Sequence, residues 1–141
     1  MSSTNNPRVI VAEDHSEVRE WIIELLREEV DIVCSAQNGL EAIYALTAFN
    51  PDILILDLSM PDLNGFQVAR WLRESNCNTR IVIVTGHEDP DYVEAAWALG
   101  VLGYVLKSHL TTDLIPALHR ALEGQRFASA ISLVTSVTGG T

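Results

Sequence analysis

Five short runs of apolar residues recur along the 141-residue chain and constrain its fold more than any other feature. The runs are rich in branched side chains, which is typical of strands buried on both faces of a parallel sheet. Segments with helical periodicity lie between the runs. Strands that alternate with helices favour a parallel sheet covered by helices on both faces. The runs are residues 9–12, 32–34, 53–56, 81–84 and 104–106.

The segments that follow the runs have the apolar periodicity of amphipathic helices, so the sequence predicts five helices. Each helix carries an apolar stripe that can pack on the sheet. The predicted inward stripes are Val18, Trp21, Ile22, Leu25 and Leu26 in the first helix, Leu40, Ile43, Tyr44 and Thr47 in the second, Phe66, Ala69 and Leu72 in the third, Val93, Ala96 and Trp97 in the fourth, and Leu114, Ile115, Leu118 and Leu122 in the fifth.

Capping and helix-breaking residues predict where the helices begin. Asn38 is placed to cap the second helix, and Asn64 introduces the third. Asp89 followed by Pro90 predicts the start of the fourth, since proline is well tolerated at the first helical position. In the fifth helix Pro116 lacks the N–H that a helix interior uses, so we expect it within the first turn.

The alternating pattern predicts one (βα)5 domain over residues 8–125. The polar residues 1–7 are expected to be a disordered N-terminus, and the Ser/Thr/Gly-rich residues 126–141 are expected to be a tail or the start of a linker. No apolar run approaches the roughly 20 residues that a membrane-spanning helix needs, and no secretory signal is evident. We therefore expect a cytoplasmic location and no membrane partner.

The charge of the chain excludes one class of function. Nineteen acidic and nine basic residues give a formal net charge of −10. Such a surface repels the phosphate backbone of nucleic acids. We therefore expect no direct nucleic-acid binding by this segment.

Polar residues directly follow four of the five apolar runs. Glu13 and Asp14 follow the first run, Asp57 the third, Thr85 the fourth and Lys107 the fifth. Ligands of open parallel sheets bind beyond the carboxyl ends of the strands, so these side chains are expected to meet at one site.

Three carboxylates at one site repel one another unless a cation lies among them, and a hard divalent ion is the natural partner. We predict Mg²⁺, with Asp14 and Asp57 as direct ligands, Glu13 as a direct or water-mediated ligand, and the backbone carbonyl of Ser59 completing the set. Asp57, at the end of a buried strand, can act as a nucleophile and form an acyl phosphate. Thr85 and Lys107 would stabilise the phosphoryl oxygens.

Four motifs of the chain together resemble the receiver domain of bacterial two-component response regulators. The motifs are residues 9–14, 52–65, 84–86 and 103–107, and the resemblance extends from Arg8 to Gly124. It implies a flavodoxin-like three-layer sandwich whose parallel five-stranded sheet has the order 2-1-3-4-5. It also implies that Asp57 is the phosphoacceptor and that a sensor histidine kinase is the phosphodonor.

The resemblance implies further roles for individual residues. Thr85 and Tyr104 occupy the switch positions, and phosphorylation would reshape the face made by helix 4, strand 5 and helix 5. The same face is the candidate contact of a homodimer. Ser59 and His87 lie where the family tunes the lifetime of the phosphoryl group. The end of the chain is more similar to receivers that precede a LuxR-type DNA-binding domain, which would be absent from this segment.

Two outputs stay open at this point: transcription control through a missing DNA-binding domain, and protein contact by a stand-alone receiver or phosphorelay intermediate. A phosphatase of the haloacid dehalogenase type also uses a strand-end Asp, but it needs a second Asp where this chain has Ser59. A flavin site is disfavoured because Glu13 and Asp14 would repel the cofactor phosphate. The sequence therefore predicts a signalling domain rather than an enzyme.

Overall fold

Strands and helices alternate along residues 6–130, which are the residues that the computed structural model describes. A 3-10 turn, Lys107–His109, joins the fifth strand to the fifth helix. In chain order the elements are β1 (Arg8–Ala12), α1 (Ser16–Leu26), β2 (Asp31–Ala36), α2 (Gly39–Phe49), β3 (Ile53–Asp57), α3 (Gly65–Glu74), β4 (Arg80–Thr85), α4 (Pro90–Ala98), β5 (Gly103–Leu106), α5 (Leu110–Leu122) and β6 (Phe127–Ala128).

All strand pairs are parallel, and the sheet has the order β2-β1-β3-β4-β5-β6. The predicted flavodoxin-like fold and the order 2-1-3-4-5 are confirmed. The sheet continues into a sixth strand that the sequence analysis did not predict. β6 has two residues, and Gly103 and Tyr104 of β5 pair with Phe127 and Ala128. A strand of this length has too few residues to show a periodicity.

The helices form two layers that cover the two faces of the sheet. Every residue of β3 is buried, and its alternate side chains enter different cores. Leu54 and Leu56 lie in the core that contains residues of α2, α3 and α4. Ile53 and Ile55 lie in the core that contains residues of α1 and α5. The predicted three-layer sandwich follows from this double burial of the central strands.

The inward face predicted for α2 is wrong at three of its four residues, because Leu40 is 58% exposed, Tyr44 is 79% exposed and Thr47 is exposed. Ile43 is partly buried and packs against the core. Trp21 of α1 was also predicted inward and is 43% exposed. The fully buried side of α2 consists instead mainly of small residues. Alanine contributes little to an apolar periodicity, so the larger residues misled the assignment of the face. The buried residues of α2 are Gly39, Ala42, Ala45 and Leu46.

The predicted helix caps are confirmed. The side chain of Asn38 accepts a hydrogen bond from the Glu41 backbone N–H at 2.8 Å. Asn64 accepts from the Gln67 backbone N–H at 2.9 Å, and the Gln67 side chain accepts from the Asn64 N–H in return. Asp89 caps α4 in the same way. These bonds satisfy backbone donors that otherwise lack partners at a helix start.

The predicted start of α5 is wrong, because Pro116 lies inside the helix rather than in its first turn. The helix begins at Leu110, directly after the 3-10 turn. Leu110 and Leu114 are both buried in the core beside the sheet, so packing outweighs the backbone hydrogen bond that proline omits. Pro116 itself is on the exposed side of the helix.

The two predicted terminal segments lie largely outside the described residues, which exclude 1–5 and 131–141. Within the described part, the carbonyl of Pro7 accepts a hydrogen bond from the Asp31 backbone N–H at 2.8 Å. None of the helices in residues 6–130 combines the length and the apolar character that crossing a bilayer requires.

Gly65 provides a test of this packing, because its backbone lies against the end of β3. A Cβ at this position would lie 2.5 Å from the Asp57 carbonyl oxygen and 2.8 Å from the Leu58 Cα. We expect Gly65→Ala to lower the free energy of unfolding by about 1–3 kcal/mol. At Gly86 a Cβ would meet nothing within 4 Å, so Gly86→Ala should not destabilise. Urea denaturation measures both, and equal stabilities of the two variants would contradict the predicted close contact.

Candidate functional site

The ends of the parallel strands bring five polar side chains to one edge of the sheet. Glu13 and Asp14 follow β1, Asp57 ends β3, Thr85 ends β4 and Lys107 follows β5. Carboxylate oxygens of the three acids lie within 4.8 Å of one another. The Lys107 ammonium lies 3.2 Å from Oε1 of Glu13 and 3.5 Å from Oδ2 of Asp57. The three acids and Lys107 are therefore neighbours, and Thr85 ends the strand that lies between β3 and β5.

Burial changes the acidity of two of the carboxyl groups. Glu13 is fully buried and Asp57 is 2% exposed, whereas Asp14 is exposed. Burial and, to a smaller extent, the charge of Asp57 together raise the pKa of Glu13 to about 7, against the opposing charge of Lys107. Burial also raises the pKa of Asp57, with Lys107 again opposing. A cation placed among these groups would favour their ionised forms.

The buried carboxylates retain unused acceptor atoms. Within residues 6–130, Oε1 of Glu13 and Oδ2 of Asp57 accept no hydrogen bond, although Lys107 lies near both. The other Asp57 oxygen accepts the backbone N–H of Ser59 at 3.2 Å, which places the Ser59 main chain beside the acids. Unpaired carboxylate oxygens with an exposed acid at the rim suit a hard divalent cation that keeps some of its water.

A chain of hydrogen bonds extends from the acids to Tyr104. The hydroxyl oxygen of Thr85 accepts the His87 backbone N–H at 3.2 Å. The His87 ring nitrogen Nε2 lies 3.0 Å from the Ser59 hydroxyl, so the loops after β3 and β4 are joined. The fully buried Tyr104 donates its hydroxyl to the His87 carbonyl at 2.9 Å, and burial raises its pKa. The four residues predicted as switch or lifetime positions are thus one connected group.

Sequence reasoning missed two contributors near the site. Arg19 of α1 donates to the Glu13 carbonyl at 2.7 Å and so holds the loop that carries the acidic pair. Ser129 accepts from the Leu106 backbone N–H at 3.0 Å and donates to Asp113 at 2.6 Å. An arginine in a helix and a serine in a Ser-rich end are common, and nothing in their spacing distinguishes them.

The fold and the site both agree with one protein family. Residues 9–119 match the family model described as the response regulator receiver domain. The chain therefore belongs to the response regulator receiver family. Receiver domains are signalling modules that receive phosphate from sensor histidine kinases.

The relatives of the chain are NarL-type response regulators of the LuxR family, as the sequence resemblance predicted. The nitrate/nitrite response regulator protein NarL of Escherichia coli strain K12 is 33% identical over 133 residues, which cover 92% of this chain and 61% of that protein. The chain thus spans about three fifths of the curated relatives it matches.

Solved receiver domains have the same architecture. The signal receiver domain of NarL from Mycobacterium tuberculosis is 31% identical, with a TM-score of 0.81, and the match covers 85% of this chain and 98% of that one. The non-phosphorylated receiver domain of the stress response regulator RcsB from Escherichia coli is 30% identical, with a TM-score of 0.82, and the match covers 89% and 100%.

The raised pKa of Glu13 predicts a pH-dependent stability. Below the ordinary pKa of 4.5, Glu13 is protonated in both the folded and the unfolded state. As the pH rises toward 7, the unfolded state ionises more readily, so the free energy of unfolding falls. Glu13→Gln removes this loss. In metal-free buffer we expect the free energy of unfolding of the variant, relative to that of the wild type, to rise by about 2 kcal/mol between about pH 5 and pH 8.

Urea denaturation of both proteins at the two pH values measures this gain. The matched control is Glu20→Gln, at an exposed position of α1. Its stability relative to the wild type should change little with pH. If the free energies of unfolding of Glu13→Gln and the wild type differ by the same amount at both pH values, the predicted cost of ionising buried Glu13 is contradicted.

Proposed function

We propose that the chain is a phosphorylation-dependent switch in which Asp57 accepts a phosphoryl group from a sensor histidine kinase. The observation that carries this proposal is the environment of the Asp57 carboxylate. One of its oxygens accepts the Ser59 backbone N–H, while the other accepts no hydrogen bond from the described residues and lies 3.5 Å from the Lys107 ammonium. The first contact orients the carboxylate, and the second oxygen is the candidate nucleophile.

The transfer forms one bond and breaks one. An electron pair of the Asp57 carboxylate forms the new oxygen–phosphorus bond, and the bond between phosphorus and the donor's leaving atom breaks with its electron pair on the donor. The transferred group keeps its oxygens and their negative charge. Lys107 and Thr85 would stabilise that charge through the ammonium and the hydroxyl. Both are held at strand ends, so little reorganisation is needed.

Mg²⁺ is the proposed cofactor of the transfer. Asp14, Asp57 and the backbone carbonyl of Ser59 would hold it, with Glu13 as a direct or water-mediated ligand. The donors are all oxygens, as magnesium prefers, and the exposed position of Asp14 leaves space for bound water. When bound, the ion neutralises charge on the carboxylates and on the phosphoryl oxygens.

Thr85 and Tyr104 are the proposed switch residues. If the Thr85 hydroxyl turns toward a phosphoryl group, the His87 backbone N–H loses its acceptor. The His87 carbonyl holds the Tyr104 hydroxyl, so movement of this loop changes the packing of Tyr104 and the face formed by α4, β5 and α5. The phosphoryl group acts by contacting one of two arrangements better than the other. Ser59 and His87, joined to each other beside Asp57, are the proposed lifetime-tuning pair.

Transcription control is the proposed output. It is supported by the relatives, whose names describe response regulators and transcriptional regulatory proteins. In this proposal the receiver itself contacts no nucleic acid, acts without enzyme activity of its own, and forms a homodimer through the α4–β5–α5 face. The alternative is a stand-alone receiver that acts by protein contact or as a phosphorelay intermediate. A cytoplasmic location stays a prediction from the sequence.

Substitution of the acceptor tests the proposed chemistry. Incubation of the chain with a small phosphodonor such as acetyl phosphate and Mg²⁺ should add one phosphoryl group, detected by intact mass. Asp57→Asn should abolish the addition, because an amide oxygen is a far weaker nucleophile than a carboxylate. Chelation of the metal should also abolish it, because the clustered negative charge would then oppose the donor phosphate.

Asp62→Asn is the matched control. Asp62 lies in the same loop, is exposed, and has a positive φ of 69°, which asparagine tolerates well. Its labelling should equal that of the wild type. Full labelling of Asp57→Asn would show that another residue accepts the phosphoryl group, and labelling without metal would contradict the magnesium site.

A further inference from the structure

A short C-terminal segment runs along β5 beyond residues 9–119, the part that matches the receiver family. The Phe127 backbone N–H donates to the Leu102 carbonyl, and the Ser129 backbone N–H donates to the Tyr104 carbonyl, each at 2.9 Å. This segment, residues 127–129, contains β6. It therefore covers the edge of the strand that carries Tyr104 and leads directly into Lys107.

The side chain of Ser129 adds a second connection. Its hydroxyl oxygen accepts the Leu106 backbone N–H at 3.0 Å, and its proton is donated to Oδ2 of Asp113 at 2.6 Å. Ser129 is 4% exposed and Leu106 is 2% exposed, so the bond between them is shielded from water, whereas the bond to Asp113 is partly buried. We call this arrangement of Ser129, Leu106 and Asp113 the Ser129 clasp. It joins β5, α5 and the C-terminal segment through one hydroxyl group.

The Ser129 clasp lies at the end of β5, directly before Lys107 of the candidate site. Leu106 is the last residue of β5 and pairs with Thr85 of β4 on its other side. Lys107 follows directly and extends its ammonium toward Glu13 and Asp57. Loss of the Ser129 hydroxyl would leave the buried Leu106 N–H without its acceptor, so the end of β5 would have to move to find another. Lys107 would move with it.

We propose that Ser129 is a positioning residue for Lys107 and that it couples the C-terminal segment to phosphorylation of Asp57. The proposal rests on the proposed function of Asp57. If the closed clasp stabilises the phosphorylated state relative to the unphosphorylated state, thermodynamic linkage requires phosphorylation to favour the closed clasp by the same free energy. The chain that follows Ser129 is thereby connected to the phosphoryl group through β5. Residues 127–129, which the sequence analysis assigned to the tail, are then part of the functional domain.

Substitutions in the full chain separate positioning from general stability. We expect Ser129→Ala to slow labelling by acetyl phosphate about fivefold or more at saturating Mg²⁺, because a displaced Lys107 would align less well with the transferred group. The affinity for Mg²⁺, measured by calorimetry, should fall less than the labelling rate, because the proposed ligands lie outside the clasp. Asp113→Ala should behave like Ser129→Ala. Asp113→Asn should label close to the wild-type rate, since its amide oxygen still accepts the Ser129 hydroxyl.

Amide hydrogen exchange tests the reciprocal effect in the wild-type chain and does not depend on any variant folding. Trifluoroberyllate with Mg²⁺ serves as a stable mimic of the phosphoryl group. We expect it to slow exchange of the Leu106 amide, because the phosphorylated state favours the closed clasp. Unchanged or faster exchange at Leu106, with exchange slowed at Ser59, would overturn the proposal.

The outcomes for the two proposals are distinct. A wild-type chain that takes up no phosphoryl group would overturn the proposed function of Asp57, and the clasp's role with it. If Ser129→Ala and Asp113→Ala are labelled at the wild-type rate, the proposed role of the clasp is overturned and the proposed function of Asp57 is not. Equal losses of labelling rate and of Mg²⁺ affinity in Ser129→Ala would also overturn it, because a general loss of structure would weaken both.

Discussion

Repulsion among the carboxylates of Glu13, Asp14 and Asp57 is the constraint on which the rest of the site depends. Two of the three are buried, where the charged form of a carboxyl group is disfavoured and like charges interact strongly. Lys107 offsets part of this repulsion, yet the pKa of Glu13 stays raised to about 7. The proposed cation would offset the repulsion that Lys107 leaves uncompensated.

The sheet makes this arrangement of like charges possible. Its central strands are buried on both faces, and their apolar packing holds the ends of β1, β3, β4 and β5 in place. The same strands connect the site to distant surfaces. The loop after β4 reaches Tyr104 through His87, and the end of β5 reaches the C-terminal segment through Ser129. A change at Asp57 therefore has two short routes by which it can alter the packing of the domain.

The fold and the proximity of the three acids to Lys107 could be predicted from the sequence because both follow from the order of the strands and their ends. A parallel sheet gathers the residues that follow its strands, so Asp57 and Lys107 could be placed together without knowing any contact. Features that depend on tertiary packing were not predictable in this way. The buried face of α2 consists mainly of small residues. Pro116 is accommodated inside α5 because its neighbours pack against the sheet. Ser129 is identified only by its hydrogen-bond partners.

A paramagnetic titration tests the central claim most directly. Mn²⁺ accepts the same oxygen ligands as Mg²⁺ and broadens the NMR signals of nearby nuclei. If the three carboxylates form a metal site, substoichiometric Mn²⁺ should first broaden the backbone amide signals of Asp14, Asp57 and Ser59, and excess Mg²⁺ should restore them. Broadening centred on acidic residues of the exposed helix faces, or broadening that Mg²⁺ does not reverse, would contradict the claim.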